Sequence, residues 1–81
     1  MSIRVLFFAS LAEIVGQREI RVDAGDFTDI GSVFSRFARN FPPLENYRAS
    51  ILAALNSEFC DFASPVRDGD EVAFFPPVSG G

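Results

Sequence analysis

The clearest indication of the fold is a helical pattern in the segment Ile30-Gly31-Ser32-Val33-Phe34-Ser35-Arg36-Phe37-Ala38-Arg39-Asn40-Phe41. Its apolar side chains recur with the spacing of one face of an α-helix, at Ile30, Val33, Phe34, Phe37, Ala38 and Phe41. Thr28 or Asp29 can cap this helix, and Pro42-Pro43 ends it. An apolar stripe of this kind is far more often buried in a core than offered to a partner. The stretch therefore predicts one amphipathic helix packed against a sheet.

Segments on both sides of this helix alternate in the manner of β-strands. Two strands are predicted before it, at 2–8 and 18–22. The first carries apolar residues on both faces, which indicates a central strand, whereas the second has one polar face. Three strands are predicted after the helix, at 51–55, 58–60 and 71–75. Asn56-Ser57 predicts a tight turn between the first two of these, and Asp68-Gly69 predicts a turn before the last.

The connections between these strands carry their own signals. Ser10 and Glu13 have the spacing of a capping box, which predicts a short helix that Gly16 ends. Residues 44–50 predict an irregular crossing. The order is then β-(short α)-β-α-β-β-β. A strand pair, a helical crossover and a return strand beside the first strand predict an α+β fold of the β-grasp, or ubiquitin-like, type with a mixed sheet. With 81 residues the chain forms a single domain, 1–81, ending in a tail at 76–81.

Composition narrows the possible functions. The net charge is −4, and all seven basic residues are arginines scattered singly along the chain, which argues against nucleic acid binding and suits an acidic carrier that docks on basic partners. No apolar run approaches the roughly 18 residues of a membrane span, and the first residues lack a signal-peptide pattern. With one cysteine, Cys60, no internal disulfide can form, so a reducing cytoplasm is the expected location.

The side chains give little indication of a catalytic or metal-binding site. The chain has no histidine, and Cys60 lies in an apolar strand without an activating neighbour, which predicts a packed and inert thiol. Asp68 and Asp70 flank Gly69 but lack further acidic ligands at the spacing of a calcium loop, so a turn is the better interpretation. No metal site is expected, and the chain acting alone is not expected to be an enzyme.

The closing residues Phe74-Phe75-Pro76-Pro77-Val78-Ser79-Gly80-Gly81 are the most informative functional stretch. The two prolines cannot donate to a sheet, so they stop further strand pairing. A diglycine end lacks side chains and can thread a channel too narrow for other residues. Chain ends are usually frayed and silent, but here a stiff spacer holds out a flexible tip. The reactive group of this end is the α-carboxylate of Gly81. Adenylation by ATP would activate that carboxylate, and a sulfur nucleophile could then displace AMP to leave a thiocarboxylate.

Three segments of the chain resemble one known family. The opening Ile3-Arg4-Val5-Leu6-Phe7-Phe8-Ala9, the pair Leu55-Asn56 and above all the closing run from Asp68 to Gly81 are similar to the small sulfur-carrier subunits of molybdopterin synthase, of the ubiquitin-like ThiS/MoaD type. The resemblance runs from end to end, although residues 24–50 are generic.

The resemblance implies a heterotetramer of two small and two large subunits. Gly81 would be adenylated by a ubiquitin-activating-like (E1-like) enzyme that uses ATP, receive sulfur from a donor protein, and enter the large subunit's active site with Gly80 threading the channel. The thiocarboxylate would give its sulfur to cyclic pyranopterin monophosphate to build the molybdopterin dithiolene, with catalytic residues supplied by the large subunit. No cofactor bound to this chain is implied.

Strand alternation further places Phe8, Phe59 and Phe75 with Leu6 on one sheet face, where they could dock the large subunit and the activating enzyme; ordinary packing of that face is the alternative. Pro76, Pro77 and Val78 would join this contact. Two other functions stay open. One is a sulfur carrier for thiamine synthesis or tRNA thiolation, and the other is a ubiquitin-like modifier or plain interaction module.

Overall fold

The computed structural model describes residues 1–77, which fold into five strands, two α-helices and two short 3₁₀ segments. The strands are β1 (Ser2–Phe7), β2 (Glu19–Asp23), β3 (Leu52–Leu55), β4 (Glu58–Cys60) and β5 (Glu71–Phe75). The helices are α1 (Ser10–Val15) and α2 (Ile30–Asn40), and the 3₁₀ segments are Ala24–Asp26 and Pro42–Tyr47. Within residues 1–77, no helix has the length and apolar character that crossing a membrane requires.

The strands form one mixed sheet in the order β2-β1-β5-β3-β4. β1 pairs with β2 in the antiparallel sense and with β5 in the parallel sense, so the return strand lies beside the first strand. β3 then pairs antiparallel with both β5 and β4. This is the predicted β-grasp arrangement, with β1 in the interior of the sheet, and the fold prediction is confirmed.

Helix α2 covers one face of the sheet with its apolar stripe. Five of the six predicted stripe residues are buried, and Phe41, just beyond the helix, is half-buried. Alternate residues of the central strands meet the helix, and the Phe74 ring lies 5.6 Å from Phe34 and 5.8 Å from Phe7. The stripe therefore belongs to the core, as the sequence indicated.

The N-terminus of α2 is closed by a reciprocal cap. The Asp29 carboxylate accepts a hydrogen bond from the Ser32 backbone N–H at 2.8 Å, and the Asp29 N–H donates to the Ser32 hydroxyl oxygen at 3.2 Å. These two backbone N–H groups have no acceptor within the helix, and the cap gives each of them a hydrogen bond. The N-cap residue is therefore Asp29 rather than Thr28.

The predicted capping box at Ser10 is wrong. Ser10 is the first residue of α1, its N-cap is Ala9, and no side chain caps this helix. Ala9 has φ 52° and ψ −128°, and this turn brings the Leu11 N–H to the Phe8 carbonyl oxygen at 3.1 Å. A backbone carbonyl, rather than a side chain, therefore accepts from an N–H group of the first turn of α1. Gly16 ends α1 in the left-handed conformation, as predicted.

The connections after α2 are more regular than predicted. Most of the expected irregular crossing is the 3₁₀ segment Pro42–Tyr47, and Arg48 donates two hydrogen bonds to the Glu45 carboxylate at its end. The β3–β4 turn has positive φ at both Asn56 and Ser57, which confirms a tight hairpin turn there.

Candidate functional site

The sheet face opposite α2 carries an apolar surface. Register aligns Leu6 with Ala73, Leu52 with Phe75, and Ala54 with both Ala73 and Phe59. Paired residues point to the same side of a sheet, so these side chains share one face. We call this surface the apolar patch and define it as Leu6, Phe8, Leu52, Ala54, Phe59, Ala73 and Phe75.

Aromatic rings form the exposed part of the apolar patch. The Phe75 ring lies 4.5 Å from Phe8 in a stacked arrangement and 5.9 Å from Phe59. Phe59 is 74% exposed and Phe8 is 42% exposed, although both are large and apolar. The sequence-predicted set of Phe8, Phe59, Phe75 and Leu6 therefore does come together. Contiguous exposed rings of this kind are typical of a binding surface.

Three members of the apolar patch were missed by the sequence analysis. Leu52 is 38% exposed beside Phe75, while Ala54 and Ala73 form the floor of the patch and are only 5% and 7% exposed. These outward-facing alanines are covered because larger side chains surround them. Alternation in Leu52-Ala53-Ala54-Leu55 was the available signal, but it did not reveal which partner strands lie alongside.

The carboxyl-terminal segment starts at the edge of the apolar patch. The Phe8 N–H donates to the Phe74 carbonyl oxygen at 3.2 Å, which extends the pairing of β1 and β5 to this edge. Pro76 is half-buried and Pro77 is exposed. The predicted site residues Val78, Gly80 and Gly81 lie outside the described residues. Pro76 and Pro77 therefore follow directly on the end of β5, where Phe75 stacks on Phe8.

The other half of the same face is polar. The Arg4 guanidinium pairs with the Glu71 carboxylate across β1 and β5, and this hydrogen bond raises the pKa of Arg4. Asn56 joins this region to the β3–β4 turn because its side chain accepts from the Glu71 N–H at 2.9 Å and donates to Asp70 at 3.0 Å. This half is therefore held by ion pairing and hydrogen bonds.

Groups that could act in catalysis are not assembled in residues 1–77. Cys60 lies on β4 opposite Ala53 and packs against the core, in line with the prediction of a packed thiol. No group of three or more acidic, cysteine or histidine side chains able to hold a metal occurs in this described part. The feature of the described residues that indicates a function is the exposed apolar patch, which suits binding to another protein.

Comparisons with known proteins agree with this arrangement. The chain is 42% identical to the molybdopterin synthase sulfur carrier subunit of Escherichia coli over 98% of its length and 99% of that protein. It is 34% identical to the protein of the same name from Chlamydomonas reinhardtii, with both chains covered completely. Among solved structures, that of SAMP1 from Haloferax volcanii superposes with a TM-score of 0.82 at 32% identity, covering 100% of both chains. A sequence profile described as the ThiS family matches residues 5–81, and the chain therefore belongs to the ThiS family.

Proposed function

We propose that this chain is the sulfur carrier subunit of a molybdopterin synthase. The observation that carries the proposal is the apolar patch at the start of the Pro76-Pro77 segment, within a sequence 42% identical to a protein of that name over nearly its full length. The patch would hold the carrier on a partner, and the residues after Pro77 would reach into the partner's active site.

The proposed chemistry takes place at the Gly81 carboxylate. A carboxylate oxygen attacks the α-phosphorus of ATP on an E1-like activating enzyme, and pyrophosphate leaves. Hydrosulfide released by a donor protein then attacks the carbonyl carbon of the adenylate, AMP leaves with the electron pair of the broken C–O bond, and loss of the sulfur-bound proton gives the thiocarboxylate. The thiocarboxylate sulfur is transferred to cyclic pyranopterin monophosphate in the large subunit, which supplies the catalytic pocket. Two successive transfers form the dithiolene.

The apolar patch supports a protein partner, and the proposed stoichiometry is the one that the family resemblance implies. A large subunit would cover the apolar patch, and two small and two large subunits would form the heterotetramer. The carrier has no assembled catalytic groups in its described part, so catalysis is assigned to the complex rather than to this chain alone. A reducing cytoplasm is the proposed location because thiocarboxylates are readily oxidised.

One alternative is favoured by a specific observation. SAMP1 of Haloferax volcanii, named a small archaeal modifier protein, is 34% identical over 91% of this chain. A modifier would join Gly81 to a lysine amine of a target protein instead of delivering sulfur. Because the chain itself contains no lysine, any isopeptide bond found on a lysine must belong to another protein.

The test combines mass spectrometry with tail variants. Untagged protein isolated from its own cell should show one oxygen replaced by sulfur at Gly81, and purified large subunit should then convert the pterin precursor. Deleting Gly81, or adding one residue after it, should abolish transfer without changing the circular dichroism spectrum. A variant with one residue added before Met1 is the matched control and should stay active. Transfer by either tail variant would refute the proposal, whereas lysine conjugates without a thiocarboxylate would favour the modifier.

A further inference from the structure

The sheet has two edge strands, β2 and β4, and the free edge of β2 is protected by charge. The Phe7 N–H donates to the Arg18 carbonyl oxygen at 2.8 Å, so alternation along β2 turns the backbone groups of Glu19, Arg21 and Asp23 away from β1. The side chains of these three residues are charged and exposed. Charged side chains along an edge discourage pairing with a further strand. The β2 edge is therefore poorly suited to strand addition.

The free edge of β4 has an apolar residue at its centre. The Asn56 N–H donates to the Glu71 carbonyl oxygen at 2.8 Å, and alternation along β3 then turns the backbone groups of Ala54 towards β5. Ala54 is therefore not hydrogen-bonded to Phe59, its register partner on β4. In such a pair the N–H and C=O of Phe59 point to the free edge, and no turn or loop hydrogen bond of residues 1–77 engages them. Phe59 thus combines unpaired backbone groups with a ring that is 74% exposed.

The free edge of β4 is also one border of the apolar patch. The patch extends from β1 across β5 and β3 to β4, and the Phe59 ring lies 5.9 Å from Phe75. Neighbouring strands in a sheet are about 4.8 Å apart. A protein that covers the Phe59 ring is therefore within one strand spacing of the unpaired Phe59 backbone.

The charge around this edge is negative. Residues 49–66 contain Glu58 and Asp61 and no basic residue. Both acidic side chains are exposed, and neither takes part in an ion pair of the described residues. In a strand added beside β4, the residue opposite Glu58 would point to the same side as its carboxylate. A basic side chain at that position would complement the charge.

We infer that the large subunit adds an extended segment to the free edge of β4, hydrogen-bonded to the N–H and C=O of Phe59. The segment carries an apolar side chain against the Phe59 ring and a basic side chain opposite Glu58. The inference rests on the proposed function, since that function supplies the partner. In strand addition the main-chain hydrogen bonds contribute affinity and alternate side chains contribute specificity. The added strand also fixes the orientation of the carrier, whereas ring contacts alone allow rotation.

The first experiment measures residue-resolved amide hydrogen exchange of the unaltered carrier, alone and in complex with the large subunit. The Phe59 amide should exchange freely in the carrier alone and at least about tenfold more slowly in the complex, because it gains an acceptor. The Arg21 amide also points to a free edge, that of β2, and is the matched control that should not change. A Phe59 amide that stays fast in the complex would overturn the inference. Protection that appears in the carrier alone as its concentration rises would overturn it too, by assigning this edge to a second copy of the chain.

The second experiment separates the Phe59 backbone from its ring by calorimetry with purified large subunit. Phe59→Ala and Phe59→Pro both remove the ring, but only proline removes the N–H, and proline is tolerated on an edge strand whose N–H points outward. Phe59→Pro should therefore raise Kd about 3- to 10-fold beyond Phe59→Ala. Arg21→Pro and Arg21→Ala, the same comparison on the β2 edge, should bind alike. Equal Kd values for the two Phe59 variants would overturn the inference.

The third experiment tests the basic side chain of the added segment. Glu58→Arg should raise Kd more at low salt than at high salt, because salt screens an exposed charge pair. Asp26→Arg makes the same charge change in the 3₁₀ segment Ala24–Asp26 and is its control. An effect of Glu58→Arg no larger than that of Asp26→Arg would overturn the basic contact. If the unaltered carrier does not bind the large subunit at all, the proposed function fails, whereas binding with a freely exchanging Phe59 amide overturns strand addition alone.

Discussion

Phe74 and Phe75 are neighbours on β5 whose replacement is expected to affect different properties. Phe74 is fully buried among the rings of Phe7, Phe34 and Phe62, whereas Phe75 belongs to the apolar patch and is half-buried. Because successive strand residues point to opposite faces, Phe74→Ala should damage folding. Phe75→Ala should damage partner binding.

The expected magnitudes differ clearly. Truncating a fully buried phenylalanine costs about 3–5 kcal/mol. At about 2.1 cal/mol/K of unfolding entropy per residue, a chain of 81 residues loses about 6 °C of Tm per kcal/mol, so Phe74→Ala should lower Tm by about 18–30 °C. Phe75→Ala loses its stacking on Phe8 and part of its buried area, which costs about 1 kcal/mol of stability. As an interface anchor it should cost about 1–3 kcal/mol of binding, or about 5- to 150-fold in Kd.

Urea unfolding followed by circular dichroism gives the stability difference, and calorimetry with purified large subunit gives the Kd. Because Phe74→Ala can leave too little folded protein to measure, Phe74→Leu is the milder companion and should lose less stability while binding normally. Two results would contradict these roles of Phe74 and Phe75. One is a folded Phe75→Ala with unchanged Kd, which would remove Phe75 from the interface. The other is a larger stability loss at Phe75 than at Phe74, which would invert the assignment of faces.

Three further changes test local features of the fold. Ala9→Gly should raise the free energy of unfolding by about 1 kcal/mol because the positive φ of Ala9 suits glycine; an equal or lower urea midpoint would contradict the Ala9 conformation. Asn56→Ala should lower stability by about 1–3 kcal/mol because it removes the hydrogen bonds to Asp70 and Glu71 at a positive-φ position; an unchanged midpoint would mean that the β3–β4 turn is not held this way. The hydrogen bond from Arg48 lowers the pKa of Glu45. The ion pair therefore stabilises the fold above the ordinary carboxyl pKa of about 4.3, and this stabilisation is lost as pH falls through the lower pKa of the folded state. The difference in unfolding free energy between wild type and Glu45→Gln should therefore vanish on acidification, and a difference independent of pH would argue against the pair.

Much of the fold could be predicted because its signals are local. The apolar stripe of α2 and the alternation of β1 and β5 each depend on nearby residues, and the structure follows them. Ser10 shows where local reasoning fails. The capping spacing was present, but the backbone turn at Ala9 supplied a carbonyl instead. That choice depends on how β1 connects to α1, which the residue spacing does not encode.

The candidate site was partly predictable for the same reason. The outward direction of the rings of Phe8, Phe59 and Phe75 followed from alternation along single strands. Ala54 and Ala73 were missed because their place depends on which strands lie side by side, and that requires the register.

The parallel pairing of β1 with β5 has a practical consequence for handling this protein. The backbone N–H of Ser2 is bonded to Asp68 just before β5 begins, whereas Phe75 ends β5 beside Phe8. A strand of six residues at about 3.3 Å per residue separates these two ends by about 20 Å. A fluorophore or immobilisation handle attached ahead of Ser2 would thus be attached about 20 Å from Phe75, where β5 ends. The carrier could be tethered to a sensor surface by that end while its loading and unloading are followed at the other.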